Sequence, residues 1–238
     1  MRAHIITLLH SDTSCQGVED CIKSSRQVDN DFEIEKFAAI DEWAVNPCMS
    51  NNNIEWTYPW EGTKHDLYYG LELKAYPTAN PARRMACFMS HYLLWKECSM
   101  GDEPFLILEH DALFTRKLVT EDFMYRRKNW MDKPYIIGIN NPLKATRKSR
   151  EFYTAVYMEA RCDIMVPPTI DRWRVPQGLA GNSAYIITPS AAKDVLEKVK
   201  TLGAWPNDAL LCQQIFPYLR VTTDFYTRVQ GLESTTTL

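Results

Sequence analysis

The chain reads as an α/β protein: a mostly parallel, Rossmann-type sheet with flanking helices, organised as a single domain. Three observations carry that reading. The N-terminal region alternates strand, helix and strand at the spacing of a βαβ unit. Two short apolar runs, at residues 104–108 and 182–188, have the length and composition of buried strands. The 238 residues, with 45% apolar and 24% charged side chains, suffice for one sizeable core and exclude a disordered or fibrous chain.

Ile5-Ile6-Thr7-Leu8-Leu9 is a continuous, partly β-branched run, as in a strand buried on both faces. Residues 17–28 follow as a helix, and 32–40 return as a strand through Phe32, Ile34, Phe37 and Ala39. Residues 42–79 break the alternation. Asn51-Asn52-Asn53, Pro47, Pro59, Pro77, Gly62 and Gly70 predict long loops with short elements there. Asn80-Pro81 is a helix start, a capping side chain followed by a residue whose fixed φ suits the first helical position. Met85, Phe88, Met89, Tyr92 and Trp95 then recur at spacings of three and four, which marks one apolar face.

Residues 104–108 form a short apolar strand that stops abruptly at Glu109-His110-Asp111. A helix is expected over 120–131 and a strand over 135–139, whereas 140–176 is polar and basic with few signals. The strand at 182–188 leads into a helix opened by Pro189 and running to 200, and a further helix is expected over 207–215. The domain is drawn over 1–233, with 234–238 as a frayed tail.

The formal net charge of −3 disfavours a protein that wraps nucleic acid, which needs a basic surplus. The basic residues concentrate in Arg126-Arg127-Lys128 and in Lys144, Arg147, Lys148 and Arg150, a solvated face or a contact for an anionic acceptor. No apolar stretch approaches the roughly 20 residues that cross a bilayer. The N-terminus lacks a signal-peptide pattern, and seven cysteines without a CxxC pair fit reduced thiols. A cytoplasmic location is expected on those grounds.

The informative feature is where the acids fall. A buried strand that ends in two carboxylates one residue apart delivers them to the carboxyl edge of the sheet, where open α/β folds bind ligands. Residues 109 and 111 point the same way if strand geometry continues. Two hard oxygen ligands suit Mg²⁺ or Mn²⁺, which keep positions open for phosphate oxygens. Acidic residues at strand ends also serve as ordinary turn and cap residues. His110, between them, is open to reading as a ligand, a donor to a ligand, or a solvated turn residue.

Three blocks, taken in order, resemble glycosyltransferase family 25, the lipopolysaccharide-type and collagen-type galactosyltransferases. The first runs from Asn80-Pro81 to Cys98 and holds Ala86-Cys87-Phe88-Met89-Ser90-His91-Tyr92-Leu93-Leu94-Trp95, similar to a G-C-x-x-S-H-x-x-x-W helix. The second is Phe105-Leu106-Ile107-Leu108-Glu109-His110-Asp111, similar to an apolar strand closed by an acidic motif. The third is Gly181-Asn182-Ser183-Ala184-Tyr185-Ile186-Ile187-Thr188-Pro189, with Pro206-Asn207-Asp208 shortly after. Phe37-Ala38-Ala39-Ile40-Asp41 is a weaker fourth match. The middle acid of the second block is His110 here, and Arg83-Arg84 stand where the family usually has Gly-Glu.

The resemblance implies a GT-A-like fold and an enzyme that moves a hexose, galactose or glucose, from a UDP-sugar to a hydroxyl of a glycan or glycolipid. It implies a divalent cation, Mn²⁺ or Mg²⁺, and inversion at the anomeric carbon. Glu109 and Asp111 are assigned to the metal, and Asp208 to the base or to acceptor positioning, although its place before a helix also makes it a cap. His91 is read as a site-shaping or catalytic residue or as a hydrogen-bonded core histidine. Arg83 and Arg84 are candidates for the donor phosphates or solvated first-turn residues. Asn182 and Tyr185 are expected to line the donor pocket, Tyr185 also from the core. A nucleic-acid-base glycosyltransferase and a catalytically silent sugar-nucleotide-binding module are the alternatives.

Overall fold

β1 (Arg2–Thr7), α1 (Asp12–Gln27) and β2 (Ile34–Ala38) form the N-terminal βαβ unit, its two strands parallel. The structure, a computed structural model, describes residues 1–119, 133–145, 148–159 and 163–232. The helix expected over 120–131, its basic run Arg126-Arg127-Lys128, Arg147, and the tail at 234–238 lie outside the described residues. α2 (Val45–Asn51) and a hairpin of β3 (Thr63–His65) and β4 (Glu72–Lys74) occupy the loop-rich region. α3 (Pro81–Met100) leads into β5 (Phe105–Glu109), and β6 (Ala112–Phe114) follows. Next come β7 (Ile136–Gly138), α4 (Ser149–Met158), β8 (Ile164–Met165) and β9 (Ala184–Ile187). α5 (Pro189–Leu202), α6 (Asn207–Leu210), β10 (Leu219–Thr222) and β11 (Thr227–Val229) complete the order.

Seven strands make the main sheet in the order β2-β1-β5-β9-β7-β10-β8. β2, β1, β5, β7 and β10 run one way, and β9 and β8 run against them. The α/β class and the mostly parallel sheet are as the sequence predicts. The reversed β9 has a consequence for the site. Because it is antiparallel to β5, its leading residues Gly181, Asn182 and Ser183 arrive at the edge where β5 ends, and Glu109 N–H donates to the Ser183 carbonyl at 2.8 Å.

Side chains alternate between the two faces of this sheet. Phe105, Ile107, Tyr185 and Ile187 join one core with α3 and α5, while Leu106, Leu108, Ala184 and Ile186 join the other with Val18 and Cys21 of α1. α3 packs Phe88, Met89, Leu94 and Trp95 into the first core. Each such side chain contributes about 1.5–3 kcal/mol relative to exposure. Asn80 caps α3 as expected, its side-chain oxygen accepting from Ala82 N–H at 3.0 Å. Thr188 caps α5 in the same manner ahead of Pro189.

Some boundaries differ from the sequence reading. α1 begins at Asp12 rather than residue 17, because Ser11 accepts from Ser14 N–H and acidic Asp12 sits in the first turn. The helix expected over 207–215 stops after Leu210. Tertiary partners capture the backbone beyond it: Gly178 bridges Cys212, and Gln213 N–H donates to the Gln177 carbonyl at 3.0 Å. Among the described residues no helix is long and apolar enough to cross a membrane.

Candidate active site

β5 ends at Glu109, and His110 and Asp111 form a turn before β6. The strand geometry that would aim residues 109 and 111 alike is therefore interrupted. Alternation along β5 puts Glu109 on the α3 face, after Phe105 and Ile107. Asp111 lies close enough to Cys21 of α1 for its charge, after burial, to help push that thiol up to about 12.

The turn is held from below. A Cβ at Gly17 would meet the His110 carbonyl oxygen at 2.5 Å, so glycine is what lets α1 approach the backbone this closely. Gln230, just past β11, binds the turn from the other side. Its backbone N–H donates to the Asp111 carbonyl at 2.8 Å, and its amide reaches the carbonyls of Gly17 (2.8 Å), Ala112 (3.0 Å) and His110 (3.3 Å). Nothing in the chain's local pattern signals Gln230, since its role depends on a strand pairing remote in the chain.

Behind Glu109 stands a buried polar row. Trp95 Nε1 lies 2.8 Å from the Tyr185 hydroxyl, the hydroxyl 2.8 Å from His91 Nδ1, and His91 Nε2 3.2 Å from Glu109 Oε1. Trp95, Tyr185 and His91 are fully buried. Burial pushes Tyr185 well above its ordinary range, so it stays a neutral hydroxyl.

The carboxyls crowd one another. Burial raises Asp111 to about 7, and the charge of Glu109 adds to that against a hydrogen bond from Ser183. Asp208, from the start of α6, rises to about 6 through burial and then Glu109, with Arg84 pulling it down. Glu109 is itself pushed up by burial, but the hydrogen bond from His91 works against this and leaves it below its ordinary value. Asp208 is an exposed residue and Glu109 keeps 29% of its side chain exposed, although protein packs closely around both carboxyls. Water thus reaches them from the open side, which tempers both shifts. Burial lowers His110, with Glu109 opposing.

The other candidates fall around this group. Arg84 packs over the Tyr76 ring at 5.3 Å, donates to Thr78 at 2.9 Å, and carries the charge that acts on Asp208. Arg83, one position earlier in the first turn, pairs with Glu42 at 2.8 Å instead. Asn182 is buried, and neither of its side-chain polar atoms has a partner among the described residues. The same holds for Asp111 Oδ1 and Asn207 Oδ1. Tyr185 belongs to the core and reaches the site through its hydroxyl. Gly178 allows the backbone to pass close to α6, since a Cβ there would meet the Asp208 carbonyl oxygen at 2.7 Å.

A cavity of about 330 Å³ opens elsewhere, lined by Thr57, Lys64, Asp66, Leu73 and Trp205 among others. None of the crowded carboxylates lines it, so its size says nothing about their chemistry.

Two donor sets for a metal present themselves. Glu109 and Asp111 offer hard carboxylate oxygens, one of them buried without a partner, and their mutual repulsion is what a dication relieves. Cys87, His91 and Glu109 also place one donor atom each within 4.8 Å of one another. That second set fits poorly as arranged: burial pushes the Cys87 thiol well above its ordinary range, and His91 Nε2 already faces Glu109.

Comparison with known proteins gives this geometry a context. The model of glycosyltransferase family 25 (LPS biosynthesis protein) matches residues 81–211, more than half of the chain. The matched span contains α3, the acidic turn, Asn182, Tyr185 and Asp208. No curated protein sequence matches significantly. Similar solved structures include an active-site mutant of LgtC, at 9% identity and TM-score 0.43, with 93% of this chain and 72% of that one covered. Another is apo mouse xyloside xylosyltransferase 1, at 9% identity and TM-score 0.41, with 92% of this chain and 83% of that one covered.

Proposed function

We propose, for a chain that belongs to glycosyltransferase family 25 and is therefore a glycosyltransferase, transfer of a hexose from a UDP-sugar to a hydroxyl of a glycan or glycolipid, with inversion and with the help of a divalent cation. One observation carries the reading. Glu109, Asp111 and Asp208 come from a strand end, a turn and a helix start, yet they crowd one sheet edge, where burial and then the charge of Glu109 raise Asp111 and Asp208. Such a cluster of negative charge is stable near neutral pH only if it binds protons or a cation.

The carboxyl ends of β1, β2 and β5 share that edge, because the three strands are parallel. The segments after β1 and β2, with His10, Asp41 and exposed Trp43, are thus on the side that would receive the nucleoside. Arg84, whose charge acts on Asp208 while its guanidinium is held by Thr78, the Pro77 carbonyl and the Tyr76 ring, would meet the donor phosphates; Arg83 pairs with Glu42, an acid.

Glu109 and Asp111 would hold the divalent cation, Mn²⁺ or Mg²⁺, whose chemistry would be to neutralise charge on the departing diphosphate. Asp208 would take the proton from the acceptor hydroxyl as that oxygen bonds to the anomeric carbon. The bond from that carbon to the phosphate oxygen breaks, and UDP leaves with its electron pair. A carboxyl raised to about 6 is suited to the task, being ionised at pH 7 yet more basic than an ordinary aspartate. Asn182, with unpartnered amide atoms, would orient donor hydroxyls.

The test is UDP-sugar hydrolysis and transfer across a donor panel, with and without Mn²⁺. UDP release that requires Mn²⁺ and one or a few donors is expected. Donor binding with no metal-dependent turnover on any acceptor would leave a sugar-nucleotide-binding module in place of an active enzyme.

A further inference from the structure

We propose that Trp95, Tyr185 and His91 form a fixed hydrogen-bond chain that positions Glu109, with His91 held as the neutral tautomer protonated on Nε2. The argument is one of proton placement. An indole N–H only donates, so the Tyr185 oxygen accepts from Trp95 at 2.8 Å. The Tyr185 hydroxyl is buried, and its own proton needs an acceptor. Among the described residues that acceptor is His91 Nδ1, 2.8 Å away. An Nδ1 that accepts has no proton, so a neutral ring carries it on Nε2, where it donates to Glu109 Oε1 at 3.2 Å.

The opposite tautomer fails at both ends. It would bring two donors to the Tyr185 oxygen and strand the hydroxyl proton in the core. It would also turn the Nε2 lone pair toward a carboxylate. Geometry fixes the ring as well, because the His91 and Tyr185 planes stack at 13° with centroids 5.7 Å apart.

The consequence is directional. Glu109 sits at the last residue of β5, where a side chain with three rotatable bonds would otherwise sample many orientations. Anchoring Oε1 to His91 leaves Oε2 for the crevice side. It also explains why the Cys87–His91–Glu109 triplet is no metal centre as built: the imidazole presents a proton there, not a lone pair. His91, Tyr185 and Trp95 are thus positioning residues that act through Glu109. The consequence for metal binding rests on the reading of Glu109 given above; the tautomer does not.

The imidazole ¹⁵N spectrum at pH 8, with the His91 signals assigned by their loss in His91→Gln, reads the tautomer directly. A single neutral form protonated on Nε2 is expected. A dominant Nδ1-protonated form, or an imidazolium, overturns the chain. Tyr185→Phe keeps the stacked ring and removes the hydroxyl, and should yield a tautomer mixture. Mn²⁺ affinity, read by electron paramagnetic resonance of free Mn²⁺, should then weaken about tenfold, equivalent to 1.4 kcal/mol. Because Tyr185→Phe alone strands the Trp95 N–H, the double variant Trp95→Phe/Tyr185→Phe guards against misfolding and should show the same loss. Unchanged Mn²⁺ affinity in both variants overturns the positioning role. Wild-type protein with the Nε2 tautomer but no Mn²⁺ binding supports the chain and sinks the metal reading instead.

Discussion

Behind Glu109, the side-chain polar atoms of Trp95, Tyr185 and His91 all have partners, whereas in front of it Asp111, Asn182 and Asn207 each keep a buried polar atom without one. The remaining buried atoms of that kind among the described residues, on His4, Trp56 and Tyr69, lie on other elements. A buried group left unpaired costs about 1–3 kcal/mol, so the two sides of the crevice differ in completeness. The rear wall is finished by the chain itself. The front leaves these polar atoms to whatever fills the crevice, solvent or ligand, and it is the side on which the proposed chemistry would take place.

If that contrast is right, front-side substitutions should cost activity and spare the fold. Asp208→Asn keeps shape and removes the base, so kcat should fall by about 10²–10⁴-fold with a smaller change in KM. Wild-type kcat/KM should drop on acidification with a limb at or below about 6, since burial raises Asp208 and a cation on Glu109 cancels only the smaller contribution of that carboxylate's charge. The limb should vanish in the variant. The structure already removes the cap reading, since Pro206 is the N-cap of α6 and no side chain caps it, so a full-rate variant would leave Asp208 as a first-turn residue with no part in the chemistry. Next in size, Asp111→Asn should lower Mn²⁺-dependent turnover by roughly 10²–10³-fold while the protein still melts cooperatively. Turnover that persists without loss removes Asp111 from the metal.

Gln230 tests the boundary between the two sides, because its hydrogen bonds to the acidic turn go to backbone carbonyls. Gln230→Ala strands the carbonyls of Gly17, His110 and Ala112 and should cost about 1–3 kcal/mol in stability. By loosening the acidic turn it should also weaken Mn²⁺ binding, roughly tenfold. Lost stability with unchanged Mn²⁺ affinity would mean that the turn keeps its shape without the clamp.

What the sequence made legible follows the same division between local and remote causes. Asn80-Pro81 and the three-and-four spacing of Phe88, Tyr92 and Trp95 act within one helix, and α3 starts where they say. The apolar run of β5 and the acids after it are also local, and Glu109 stands at the strand's last residue. The direction of β9 is not local. It depends on the connection before it, and no property of Ala184–Ile187 encodes it. β11 has three residues, too few for a period, and is defined by pairing with β6. α4 opens at Lys148 in the left-handed region at φ 60°, with no side-chain cap, so the usual helix-start signal is missing from the basic segment. Gln230 inherits its invisibility from β11.

The smallest expected effect separates the two sides by thermodynamics alone, with no substrate. In the metal-free folded chain Asp111 holds its proton up to about 7, against an ordinary 3.8. Between roughly pH 4 and 7 the folded state therefore binds more protons than the unfolded one, and stability must fall as pH rises through that window. Asp208 acts with the same sign up to about 6, while Glu109, shifted downward, acts oppositely and only at lower pH. His4 and His110, both lowered from 6.5 by burial, also act oppositely to Asp111, and only above that pH is the remaining slope chiefly that of Asp111. Asp111→Asn should melt with the wild type at pH 4 and about 2–4 °C above it at pH 8, the shift expected of ~1 kcal/mol in a chain of this size. Mn²⁺ should raise the wild-type midpoint at pH 8 and leave the variant's nearly unmoved. A wild-type midpoint that stays flat from pH 5 to 8 would mean that the front already has its partners, and the contrast with the rear wall would go with it.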